Sequence, residues 1–199
     1  MLSPKVIVWG GIAGAFGGLM WLSIVLTAKG GDITFPVGLL LTLGGLAALH
    51  ARHGKQAGAL GWAGFVLGML GTGLYLASFV WQTITGNSLN RFSSLGLLFG
   101  LGMPILGIGS ILIGLRTLQT RILPRSTGML SFAIGVSQIG LSISVWLAYS
   151  TTSDPYHPMT ILAGAMLFFI FSIGILWMVL GAILAVNPGW QVSNPPASV

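Results

Sequence analysis

The sequence has no cysteine, only two acidic residues, Asp32 and Asp154, and only three histidines, and each shortage removes a class of chemistry. Without cysteine there is no disulfide, no thiolate nucleophile and no cysteine-based zinc or iron–sulfur site. Charged residues make up 5% of the chain, against about a quarter in soluble domains, so a water-soluble surface cannot be built from it. The central parts of the long apolar runs contain no Asp, Glu, Lys, Arg or His. Proton-coupled transport ordinarily uses an acidic or histidine relay inside the membrane, and intramembrane hydrolysis uses a nucleophile with a base or a metal with its ligands. Neither set is present in those runs. The reading is therefore of a protein that is not an enzyme and has no catalytic residue, no metal ligand and no cofactor.

What fills the 199 residues is apolar: 54% are hydrophobic and the mean hydropathy is +0.95. Crossing a hydrocarbon core of roughly 30 Å takes about 20 such residues in a helix. The runs predict an all-α, polytopic membrane protein with six transmembrane helices, at about 6–27, 35–49, 59–81, 92–115, 129–149 and 159–186. They form one transmembrane domain, 1–186, followed by a short polar tail, 187–199. The runs are continuous rather than alternating with period two, which argues against a β-barrel. The first run is too long for a signal peptide and no small-x-small site precedes Lys29, so it is expected to be a span.

The net charge of +6 is distributed by turn. Lys5, Arg52, Lys55, Arg116, Arg121 and Arg125 fall on one side of the predicted helices, and only Lys29 and Arg91 on the other. Basic residues collect on the cytoplasmic side of membrane proteins, so both termini are expected in the cytoplasm and the chain in a cell membrane. Scattered over short turns, these cations do not make the basic stripe of a nucleic-acid binder. Arg52, Lys55, Arg116, Arg121 and Arg125 are expected to touch anionic lipid head groups. Trp9 and Trp62 fall near the inner interface and Trp21, Trp81 and Trp146 near the outer one, as in an aromatic belt.

The chain's 31 glycines are not scattered. Gly10, Gly14 and Gly18 are four apart, with Gly11 and Gly17 beside them, and Gly64, Gly68 and Gly71 share a side of the third helix. Small residues let lipid-immersed helices approach closely, so partner helices are expected on these faces. Pro104, inside the fourth helix, removes a backbone donor and predicts a kink near Gly100. The fifth helix is the most polar. Its Gln138 and Ser137, with Pro104, either line a solute path or make interhelical polar contacts. A local echo, Lys55 to Ala63 against Arg125 to Ala133, suggests a parallel hairpin repeat displaced by two helices.

Three further groups have a chemical reading beside a plain one. His50 and His53 share a face if the second helix continues through its turn, a spacing that can hold a metal, but Arg52 and Lys55 beside them favour a solvated or lipid-contacting turn. Asp154, Tyr156 and His157 form the one cluster of an acid with a histidine, in an outer loop able to contact a cation or partner, or simply to turn the chain. Phe168, Phe169, Phe171 and Trp177 in the sixth helix are read as facing lipid.

The arrangement of apolar helix, Leu123-Pro124-Arg125-Ser126-Thr127-Gly128 and apolar helix resembles a cytoplasmic turn in several uncharacterised families of bacterial integral membrane proteins with about six spans. The likeness covers roughly 92–149. It implies a bacterial inner-membrane location and no particular activity. The function expected is interaction: an accessory or structural subunit of a membrane complex, or a homo-oligomer. The alternative is a small transporter or channel for a neutral or apolar solute lined by helices four and five.

Overall fold

The computed structural model describes residues 4–27, 34–85, 94–150 and 158–186. These form six helices: α1 (Pro4–Thr27), α2 (Thr34–His53), α3 (Gly58–Thr85), α4 (Ser94–Thr120), α5 (Arg125–Ser150) and α6 (Pro158–Val186). No strand occurs among the described residues. Helices are the expected solution for such a chain, because in an apolar medium every backbone N–H and C=O must be paired within its own segment. Five of the six contain a stretch long and apolar enough to cross a membrane. The exception is α2, whose last turn carries His50, Arg52 and His53.

Packing divides the helices into two sets of three, each built round a glycine-rich centre. α1 lies closely against both α2 and α6, and α4 against both α3 and α5; α5 and α6 join the sets less tightly, and α2 and α3 touch least among chain neighbours. The face expected on α1 is in fact two faces. Gly10, Gly14 and Gly17 meet Gly44, Gly45 and Thr42 of α2, while Gly11 and Gly18 meet Gly181 and Gly174 of α6. On α4, Gly102 and Gly109 meet Gly71 and Gly64 of α3, while Gly107 and Gly114 meet Gly135 and Gly128 of α5. At most of these crossings an added methyl group would run into the opposing backbone. Close contact of this kind supplies dispersion energy that lipid cannot supply as well.

Two tryptophans depart from the sequence reading. Trp21, expected in the outer aromatic belt, is 1% exposed and lies beside Gly38 of α2. Trp177, expected to face lipid, is also 1% exposed and wedges its ring against Gly14 and Gly45. The glycines of α1 and α2 leave room at the helix contact, and the two rings are buried against them. Trp9, Trp62, Trp81 and Trp146 are exposed, as are Phe168 and Phe171, whereas Phe169 turns inward against Gly140.

The two echoed turns do not lead to equivalent hairpins. α2 continues to His53 and enters a 3-10 turn, Gly54–Ala57, and Gly58 then starts α3 with φ +58°, a conformation suited to glycine. Gly128, its counterpart, lies inside α5 and serves close packing on α4. Between α4 and α5 the chain reverses through four residues. Arg121 takes φ +51°, its N–H donates to the Thr117 carbonyl at 3.2 Å, and Leu123 is buried beneath the turn.

Candidate functional site

Polar side chains that bond from helix to helix occur in two places, the seam between α4 and α5 and the end of the bundle that carries the basic residues, whereas Thr42, Thr72 and Ser78 bond within their own helices. In the seam, Pro104 has no N–H to give the carbonyl four residues before it, that of Gly100. The Ser142 hydroxyl of α5 donates to that carbonyl at 3.2 Å. One helical turn further along α5, Gln138 is 1% exposed and its Oε1 lies 3.3 Å from Ser110 Oγ. Ser110 also reaches the Leu106 carbonyl at 3.1 Å, and the Ser131 hydroxyl donates to the Ser110 carbonyl at 2.9 Å. Ser137 is buried next to Gln138.

The Gln138 amide has a preferred sense within this network. Ser110 has one hydroxyl proton, and Leu106 offers the shorter acceptor. With the Gln138 NH₂ group turned toward Ser110, Ser110 donates to Leu106 and accepts from Gln138, so both bonds form. One N–H and the carbonyl oxygen are then left over, in place of both N–H groups of the buried, unpartnered Nε2. Pro104 and Gln138 are thus brought to one seam, where bonds run from helix to helix, while Ser137 is buried in the same turn of α5.

At the basic end, α4 holds the connection between α2 and α3. Arg116 donates from Nε at 2.9 Å and from a terminal nitrogen at 2.6 Å to the carbonyl of Gln56, in the 3-10 turn. A carbonyl at the end of a helical segment lacks an intrahelical donor and lies at the negative end of the dipole, so a guanidinium satisfies both needs. Gly58 passes 3.2 Å from this guanidinium, measured from where a Cβ would stand, so both its φ and its neighbour call for glycine.

The second contact of this end is His53, which is 4% exposed. Its Nδ1 lies 2.8 Å from the Leu49 carbonyl, which only accepts, so Nδ1 carries a proton. Its Nε2 lies 3.0 Å from Thr117 Oγ1 of α4, and that hydroxyl is also 2.8 Å from the Ile113 carbonyl. Burial lowers the His53 pKa, the Leu49 carbonyl opposes this, and the neighbouring His50 and Arg116 lower it further. His50 stacks on Phe65 at 4.5 Å between ring centroids and meets the edge of Trp62 at 4.6 Å. Burial lowers its pKa as well, with a backbone hydrogen bond at Gly61 opposing.

α2 does continue through its turn, so the two histidines lie on one helix, but their rings are engaged by different neighbours. Among the described residues no three His, Cys, Asp or Glu come together as a metal site would require. Arg52 is half-buried, Arg121 and Arg125 are exposed, and Lys55 stands in the 3-10 turn. Asp154, Tyr156 and His157 lie outside the described residues, as does the tail from 187.

Thr117, Ser110, Ser131 and Ser142 acquire their roles only from the register between helices. A proline inside a helix announces a carbonyl in need of a donor, but not that Ser142 supplies it. No family model matches the chain, and no curated protein or solved structure matches it. Fold and chemistry together define an all-helical bundle of multi-pass membrane type.

Proposed function

We propose that this protein works through helix packing in a bacterial inner membrane, without catalysis, as an accessory or structural subunit of a membrane complex or as a homo-oligomer. The observation that carries this reading is the fate of the polar groups between α4 and α5: Ser110, Ser131, Gln138 and Ser142 bond from helix to helix, and Gln138 is 1% exposed. A solute path needs such groups turned toward water. Supporting it are apolar side chains exposed on α1 and α3 to α6, among them Trp9, Phe16, Leu70, Leu101, Trp146 and Phe168.

Both termini are assigned to the cytoplasm, with Arg121 and Arg125 at anionic head groups, because basic residues favour that side. The test is purification of the tagged chain from its native membrane in mild detergent, with identification of everything that accompanies it. Stoichiometric companions or a defined multiple of the chain support the reading. The transport reading draws on Gly100, which is exposed and has open space beside Pro104. Uptake of neutral solutes by liposomes holding the protein, lost on Gln138→Leu, would favour it.

A further inference from the structure

The His53–Thr117 contact contains one proton too few for the bonds it displays. With Nδ1 committed to Leu49, a neutral His53 presents a bare Nε2 that can only accept, so Thr117 must donate to it. The same hydroxyl then gives up the Ile113 carbonyl, 2.8 Å away. Only an imidazolium completes all three, with Nε2–H donating to Thr117 and Thr117 donating to Ile113. Charge opposes that state. Among the described residues the titratable and charged groups near His53 are His50 and Arg52 on α2 and Arg116 on α4; α3 meets the neighbouring His50 with the uncharged Trp62 and Phe65. α6 contains no charged residue, and Lys5 of α1 is one more cation. The described residues contain no carboxylate side chain, since Asp32 and Asp154 both lie outside them.

We propose that His53 and Thr117 form a proton-sensitive latch that holds the end of α2 to α4 while His53 is neutral and releases it when the imidazole gains a proton. The placement makes the contact consequential. α2 and α4 touch only sparingly, and α2 and α3 touch least among chain neighbours, so this contact and the Arg116–Gln56 contact are polar ties between α4 and the α2–α3 connection. Protonation puts a buried cation beside Arg116 with no counter-charge among the described residues, a costly arrangement that opening to water relieves. Burial holds the His53 pKa below the ordinary imidazole value of 6.5. The latch is therefore whole above that value and fails as pH falls through the lower folded value.

Because the chain has no cysteine, a pair introduced as Gln56→Cys and Gln119→Cys, both exposed positions, takes spin labels cleanly. Their dipolar line broadening in reconstituted protein reads the separation of the two helix ends. The broadening is expected to be strong at pH of about 7.5 and to fall reversibly by pH of about 5, across the range in which an imidazole titrates. His53→Gln should keep the broadening at both values, and His50→Gln should keep the pH dependence. Thr117→Val should weaken the broadening already at the higher pH, which serves if His53→Gln does not fold. Broadening that is the same at both pH values, or a pH dependence that survives His53→Gln or is removed by His50→Gln, overturns the latch, as does a Thr117→Val profile equal to that of the parent.

Discussion

Ser142 of α5 donates its hydroxyl to the carbonyl of Gly100, the group in α4 that Pro104 leaves without a helical donor. A defect in one helix is thus repaired by its neighbour, and the repair ties the two together. Ser142→Ala is expected to destabilise the bundle by about 1 kcal/mol, the usual net worth of such a bond. The loss should shrink toward zero when Pro104→Ala restores the helical N–H. A double-mutant cycle, measured by unfolding in detergent, checks the coupling.

The glycine crossings differ in how much they can give. Gly135 approaches the backbone of Gly107 and Ile111, which cannot move aside, so Gly135→Val is expected to cost about 1–3 kcal/mol or to part α4 from α5. Gly73 of α3 faces open space and lies within a helix, and Gly73→Ala should raise stability by up to about 1 kcal/mol. Thermal unfolding of the two variants side by side shows whether close approach or mere abundance explains the glycines.

Arg121 occupies the left-handed region at the end of α4, where a side chain costs about 1–2 kcal/mol relative to glycine. Arg121→Gly is therefore expected to raise the unfolding midpoint while removing a cation from the basic end. An unchanged or lowered midpoint would mean that the Arg121 side chain contributes more than its backbone loses.

Arg116 meets the Gln56 carbonyl with two donors set in one plane, a geometry lysine cannot reproduce. Arg116→Lys should lose part, and Arg116→Gln most, of a contribution at or below the low end of the about 1.5–3 kcal/mol of a hydrogen bond to a charged group, since water reaches this one. Hydrogen exchange at the Gly54–Ala57 turn, faster in both variants and fastest in Arg116→Gln, is the readout.

Much of this architecture is written in the sequence because a membrane leaves few choices. Long apolar runs must be helical, and the spacing of Gly10, Gly14 and Gly18 already implies a close neighbour. What the spacing does not contain is which neighbour. Gly10 and Gly11 are adjacent in the chain yet serve different helices, and Trp177 is buried against glycines of both α1 and α2. Pro104 signals a carbonyl in need of a donor, but the identity of Ser142 depends on the sliding register of α5 along α4. His53 illustrates the same limit at the basic end: its two partners are Leu49, four residues away, and Thr117, 64 positions later. Only the local one can be anticipated from a helix.

The central claim is that the protein acts by associating through its helices, and the mass of the particle extracted from its native membrane tests it most directly. Native mass spectrometry from mild detergent is predicted to give a species well above the 20.7 kDa of one chain, as a multiple of it or with other proteins in fixed ratio. A single chain carrying only lipid, under conditions that preserve known membrane complexes, would contradict the account.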